Sequence, residues 1–252
     1  PHSFMRFTLR LFGALLLGAS LALPATAKIE HLLPRPQQLT AQSGTFALGR
    51  PVQLTDATAT PLLRAFLTQQ GCTIVDQATA KVEVRIDATL PLFDYPLAGF
   101  PAEGYQLAIE ADKIRITAQT EVGVIRAAQT LDQLAQGYDG AAALECLTMD
   151  DFPAFKVRGF MHDVGRSFVS IDELKKQIDL LARFKVNVFH WHLTENQAWR
   201  MEIKAYPQLT SAASMTRFPG QYYTQAQAAE LEAYAAERGV TIIPEIDMPG
   251  HS

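Results

Sequence analysis

The chain has 252 residues, 48% of them hydrophobic and 19% charged, with a formal net charge of -4. Length and composition are those of a soluble globular protein with one large or two modest domains, not of a disordered or fibrous chain. The acidic balance excludes nucleic acid as a main partner, since a phosphate backbone is met by clustered Lys and Arg.

Residues 1–27 read as a targeting segment rather than fold. A short basic start, Met5-Arg6-Phe7 to Arg10, leads into the apolar run Leu11–Leu23, which is too short to span a bilayer comfortably. Ala25-Thr26-Ala27 fits a small-residue cleavage site. The pattern predicts a secretory signal peptide and a mature start near Lys28. It also predicts export to the periplasm or cell exterior, with no stable membrane insertion after cleavage. A retained membrane anchor is the competing reading. In an exported protein Cys72 and Cys146 either pair or stay as two buried thiols, and their spacing does not choose. No CxxC or Cys/His cluster suggests structural zinc.

Residues 28–150 read as a small α+β domain. Leu33-Pro34-Arg35-Pro36 is extended, and Thr45–Leu48 and Val52–Leu54 read as short strands. Thr60–Gln70 places Leu62, Leu63, Phe66 and Leu67 at helical spacing, with Gly71 as the stop. Lys81–Asp87 alternates, with Val82, Val84 and Ile86 inward, as in a half-buried strand. Tyr105–Glu110 and Lys113–Ala118 flank Ala111-Asp112 as a hairpin. Val122–Gln136 is a helix with Val122, Ile125, Leu131 and Leu134 on its apolar side. Gly137–Ala142 reads as a turn and Asp150–Pro153 as a junction.

Residues 151–252 change to strand, helix, strand. Val157–Asp163, Val186–Leu193 and Val240–Ile243 are the strands. Ser170-Ile171-Asp172-Glu173 and Thr224-Gln225-Ala226-Gln227 are capping boxes opening the helices between them, the second of which stops at Gly239. Crossover helices imply a parallel sheet, so the class is α/β. Three strands cannot close a barrel of eight, and a barrel reading makes this chain a fragment with an open third strand, leaving Val240, Ile242 and Ile243 unpartnered.

Each strand starts apolar and ends polar. Arg158-Gly159-Phe160-Met161-His162-Asp163 runs on to Arg166. His190-Trp191-His192-Leu193-Thr194-Glu195 ends the second strand, and Pro244-Glu245-Ile246-Asp247-Met248-Pro249-Gly250-His251 follows the third. His190 and His192 stand two apart, so in a strand they share a face. Polar groups converging on strand C-termini are where β/α folds place their chemistry.

Taken together these residues resemble family 20 glycoside hydrolases, the β-N-acetylhexosaminidases. The likeness covers nearly everything after residue 27, including Leu33-Pro34-Arg35-Pro36, Gly104-Tyr105 and Gln129-Thr130-Leu131. It implies an N-terminal α+β domain followed by the first three strands of a (β/α)8 TIM-type barrel. The reaction it implies is removal of terminal β-linked GlcNAc or GalNAc with retention, the substrate's own 2-acetamido oxygen acting as nucleophile. The partner is then an N-acetylhexosamine-containing glycan, with no cofactor and no metal. By resemblance Arg166 binds sugar hydroxyls, and His251 contacts the general acid while Glu195 supplies that His with a carboxylate. Asp247, which matches a motif carboxylate, and His192 are placed with Arg166 at the substrate, His192 as a strut rather than a catalyst. Glu195 stands where many relatives carry Asp, and Asn196 replaces a frequent second Asp. The catalytic Asp-Glu pair is expected at a fourth strand. Asp172-Glu173 is a helix cap, so the 252 residues alone are expected to be inactive.

Two rivals remain open on the residues. His190, His192, Glu195, Asp247 and His251 have ligand-type side chains, as in a metal-dependent barrel hydrolase. Trp191 and Trp199, bracketing the motif as in sugar sites, argue against it. A non-catalytic carbohydrate-binding or interaction module is the other. Arg166 read alone is also compatible with a surface ion pair, and Asp247 with bonding of loop backbone.

Overall fold

The computed structural model describes residues 29–55, 60–91, 101–136 and 142–251. The proposed signal peptide lies outside the described residues. Among the described residues no helix is long and apolar enough to cross a membrane.

The N-terminal α+β domain is built on a seven-stranded sheet. Its strands are β1 (Gln38–Ala47), β2 (Pro51–Leu54), β3 (Thr73–Val75), β4 (Ala80–Ile86), β5 (Tyr105–Ile109), β6 (Lys113–Ala118) and β7 (Ala143–Asp151), in the order β1-β7-β5-β6-β4-β2-β3. The β5–β6 hairpin is antiparallel, as its spacing predicts. The β4 strand buries Val82 and Val84, but Ile86 is exposed at its end. The sequence reading missed β3 and β7. In β7, Cys146 and Leu147 are buried at adjacent positions, and alternation begins only at Thr148, so no clean period marks the strand. Cys72 and Cys146 are both free, buried thiols.

Helices α1 (Pro61–Gln69) and α2 (Glu121–Gln136) cover one face of this sheet. Thr60 caps α1 by accepting from the Leu63 N–H. Helix α2 is sandwiched. Val124, Ala127, Ala128, Leu131 and Leu134 face the sheet core, whereas Arg126, Gln129 and Gln133 are buried on the opposite side. Those polar residues recur at steps of three and four, so they form one stripe. The stripe meets the second unit.

That unit holds β8 (Gly159–Asp163), α3 (Ile171–Arg183), β9 (Val188–His192), a small ribbon of β10 (Thr194–Glu195) and β11 (Ala198–Trp199), α4 (Gln225–Ala236) and β12 (Thr241–Glu245). The strands β8, β9 and β12 form a parallel sheet with β9 in the middle, the order expected at the start of a barrel. Ser170 accepts from the Glu173 N–H, but the Glu173 carboxylate pairs with Lys176 rather than closing the box; at α4 both halves of the capping box form. Phe189 and Trp191 are buried beneath the helices with Leu174, Ile178, Tyr223 and Leu231. Val240 is buried too, so of the residues expected to be open on the third strand only Ile243 is substantially exposed.

Polar contacts fix the two units together below the strands. Arg126, Gln129 and Gln133 donate to the carbonyls of Gly239, Arg238 and Arg183 at 2.7, 3.0 and 2.6 Å. Glu103 accepts from Arg126 at 2.7 Å and Arg158 at 2.5 Å. Lys185 has φ 59 and ends α3 in a Schellman turn, with Lys185 N bonded to Ala182 O and Val186 N to Leu181 O. A lysine there accepts left-handed backbone costing about 1 kcal/mol. Its ammonium reaches Asp151 at 2.6 Å and the Tyr105 hydroxyl at 3.0 Å.

Candidate active site

The upper ends of the three strands are level. Asp163 pairs in register with His192, and His192 with Glu245. Residues level in a parallel sheet point to the same side, so these three project together, with Met161, His190 and Ile243 one row below. That is the side away from the helices.

Glu195 is the centre of the group. It is 4% exposed, although it lies at the mouth of the site. One of its oxygens meets His192 Nε2 at 3.0 Å, Arg166 Nη2 at 2.5 Å and His251 Nδ1 at 2.9 Å, and the other meets His251 Nδ1 at 3.0 Å. Burial alone raises the Glu195 pKa. The hydrogen bonds from His251 and His192 and the Arg166 charge outweigh it, and the carboxyl ends below its usual range. Gly165 makes room for this: a Cβ there would stand 2.9 Å from Glu195 Cβ. The longer side chain at position 195 therefore still reaches His251.

Arg166 arrives from the turn after β8. It bonds Asp163 on one side and Glu195 on the other while its side chain stays 46% exposed. His251 sits on left-handed backbone, φ 60, and its side chain is 58% exposed. Strain of this kind is tolerated where surroundings impose it, commonly at functional sites. Asp247 is placed by its own N–H, which donates to Thr194 Oγ1 at 2.9 Å.

The structure brings Glu195, His251, Arg166 and His192 into direct contact, and Asp247 beside them. His192 is 7% exposed with both ring nitrogens engaged, the arrangement of a strut. Trp191 is no sugar platform: it is buried on the helix side, 4.6 Å from the Tyr223 ring. Trp199 donates its indole N–H to Met201 O at 2.8 Å.

Three residues were missed as site members, Asp163, Gly165 and Glu245, and His190 was singled out only as a candidate metal ligand. Glu245 Oε2 lies 2.6 Å from His190 Nε2 and 2.7 Å from His192 Nδ1. The available signal was register, since Asp163, His192 and Glu245 each end a strand at the same level. Arg200 follows β11 directly. It is fully buried and donates to the carbonyls of Val164, Gly165, Arg217, Phe218 and Gln221, tying the long loop after β11 to the turn that carries Arg166.

Two groups bring potential metal-ligating atoms within 4.8 Å of one another: Asp163, His192 and Glu195, and His192, Glu245 and Asp247. Both depend on His192. A metal takes a bare imidazole nitrogen, and each nitrogen of His192 already faces a carboxylate.

Residues 155–252 match the catalytic domain of glycosyl hydrolase family 20, and residues 30–152 match domain 2 of the same family. The chain belongs to glycosyl hydrolase family 20. It is 35% identical to a β-hexosaminidase of Vibrio furnissii, over 91% of this chain and 39% of that protein. With a β-N-acetylhexosaminidase of Cellulomonas fimi it shares 38% identity over 69% of this chain and 34% of the relative. The β-N-acetylhexosaminidase structure from Bacteroides fragilis superposes with a TM-score of 0.74 at 33% identity, covering 87% of this chain and 45% of that one. A family 20 exo-β-N-acetylglucosaminidase from Vibrio harveyi, solved with N-acetylglucosamine, gives 0.73 at 30% identity, covering 91% and 38%. The chain thus spans less than half the length of these family 20 relatives.

Proposed function

We propose that the complete gene product is a retaining β-N-acetylhexosaminidase that releases terminal β-linked GlcNAc or GalNAc. The observation that carries this reading is the Glu195–His251 pair, held by Arg166 at the strand ends of a family 20 fold. In this chemistry the substrate's acetamido oxygen attacks the anomeric carbon while a carboxylic acid protonates the departing oxygen. Water then opens the oxazolinium ring with retention. His251, backed by Glu195, orients that acid and adjusts its pKa. Arg166 offers its exposed guanidinium edge to sugar hydroxyls, a match to paired oxygens that an ammonium lacks. Among the described residues no Asp-Glu pair ends a strand, and Asp172-Glu173 lies in the first turn of α3. The proposed turnover is therefore assigned to a protein of the relatives' length, of which this chain spans less than half.

Export is part of the same reading, supported by the basic, apolar and small-residue order of residues 5–27. The test is hydrolysis of 4-nitrophenyl β-N-acetylglucosaminide by the complete gene product, with the first-formed anomer followed by NMR. A β-anomer is expected. An α-anomer, or no turnover by folded protein, overturns the reading.

A further inference from the structure

We propose that His192 and Glu245 are positioning residues: Glu245 holds His192 as a doubly donating imidazolium, and that cation fixes Glu195 for its contact with His251. The positioning role rests on the hexosaminidase reading; the protonation state does not.

The geometry leaves little choice. His192 Nδ1 lies 2.7 Å from Glu245 Oε2, and Nε2 lies 3.0 Å from Glu195 Oε1. A neutral imidazole has one N–H and one bare nitrogen. With both ring nitrogens against carboxylate oxygens, the neutral form would aim a lone pair at a lone pair. The doubly protonated ring donates twice and places a cation between two anions. Burial of both His192 and Glu195 makes that pairing count for more than it would in water.

Every element packed around the ring adds to the same balance. Asp163 comes from β8, His190 from β9, Glu195 from β10, and Glu245 and Asp247 from β12 and its following loop, with Arg166 and His251 reaching the ring only through Glu195. Four carboxylates against one guanidinium leave an excess of negative charge for imidazole to meet. Burial pulls the His192 pKa down, but hydrogen bonds to Glu245 and Glu195 and the charges of Glu245 and Asp163 raise it overall. On its other side Glu195 lies against Gly165, where an added Cβ would stand 2.9 Å from its Cβ and 3.0 Å from its Cγ. The row Glu245–His192–Glu195–His251 is thus an alternating carboxylate–imidazole chain. Its far end, Glu245, is also contacted by His190 Nε2 at 2.6 Å.

The first test needs no turnover. In this chain, labelled with ¹⁵N-histidine and assigned by loss of signals in His192→Gln, both His192 ring nitrogens are expected to carry protons at pH 7 and to keep them toward pH 8. A single protonated nitrogen at pH 7 overturns the proposal, whatever the protein catalyses. The second test uses the complete gene product. Glu245→Gln is expected to lower kcat about ten- to a hundredfold with KM changed less than about threefold, and to move the alkaline limb of the kcat profile to lower pH. Glu245→Asp, which keeps the charge, is expected to restore that limb and most of the rate. A Glu245→Gln enzyme with unchanged rate and pH profile removes the positioning role. If that variant does not fold, the wild-type spectrum still decides the protonation state on which the role depends. Absence of turnover in the wild type would overturn the hexosaminidase reading and the positioning role with it, leaving the spectrum to judge the imidazolium.

Discussion

The three parallel strands carry buried charge at both ends, and the two ends balance it differently. Below, Glu103 meets Arg126 and Arg158, and Asp151 meets Lys185. Those groups are locked between α2 and the barrel helices. Above, Asp163, Glu195, Glu245 and Asp247 face one arginine and three histidines, and the outermost members, Arg166 and His251, remain open to solvent. The lower network suits attachment. The upper one is built on histidines, the side chain suited to moving a proton, and its donors are not wholly used up, which chemistry requires.

The sharpest way to break this contrast is to unbalance the lower end. Asp151→Ala leaves the Lys185 ammonium buried beside the Tyr105 hydroxyl with no carboxylate. Removing one partner of a buried pair costs about 3–5 kcal/mol. Urea unfolding of this chain should record a loss of that size, and Asp151→Leu with Lys185→Met should recover much of it. A loss under about 1 kcal/mol would mean the lower network does not hold the units together.

At the upper end the expected effects fall on activity before stability. In the complete gene product His251→Ala should reduce kcat about ten- to a thousandfold, the range for acid–base support, and should alter the pH profile more than KM. Full activity with an unchanged profile would take His251 out of the mechanism. Arg166→Lys is milder, since charge is kept and the fork is lost. Affinity for N-acetylglucosamine-type inhibitors should weaken by about 1–3 kcal/mol, the scale of a charge-assisted hydrogen bond. Undiminished affinity in a folded variant would place Arg166 outside the sugar site.

The two ends also differ in how far the sequence revealed them. The upper residues follow strand ends in three separate motifs, and the family resemblance those motifs carry is what named Glu195, His251 and Arg166. Glu245 was passed over because its partner, His192, lies 53 positions away, and only strand register brings them level. The lower network was not legible at all. Arg126, Gln129 and Gln133 look like the solvent stripe of an amphipathic helix, and nothing local indicates that a second unit covers them. Lys185 stands where a helix stop ordinarily has glycine, and its backbone conformation is set by the α3 terminus rather than by its own preference. The strand β7 was lost because adjacent buried pairs, Ala143-Leu144 and Cys146-Leu147, interrupt its alternation.

The smallest effect separates the two networks by the sign of their pH response. The folded-state pKa of His192 is raised above 6.5 because its bonds to Glu245 and Glu195 outweigh burial. Its stabilising contribution is therefore complete below pH 6.5 and declines as pH rises through the raised value. Glu195 and Glu245 are depressed below 4.5, so their contribution is present above pH 4.5 and declines as pH falls through the lowered values. The upper network should be strongest between those limits. Lys185 acts in the opposite direction. Burial lowers its pKa below 10.5 despite Asp151, so the unfolded chain holds more protons in the alkaline range and this group adds stability as pH rises there. Urea unfolding of this chain from pH 5 to pH 9 should show a decline beginning above pH 6.5. His192→Gln, though less stable throughout, should lose that part of the slope. Asp151→Asn should retain it. If His192→Gln keeps the wild-type slope between pH 6.5 and 8, the titrating imidazolium is not at the upper end, and the contrast between the two networks fails where it is most specific.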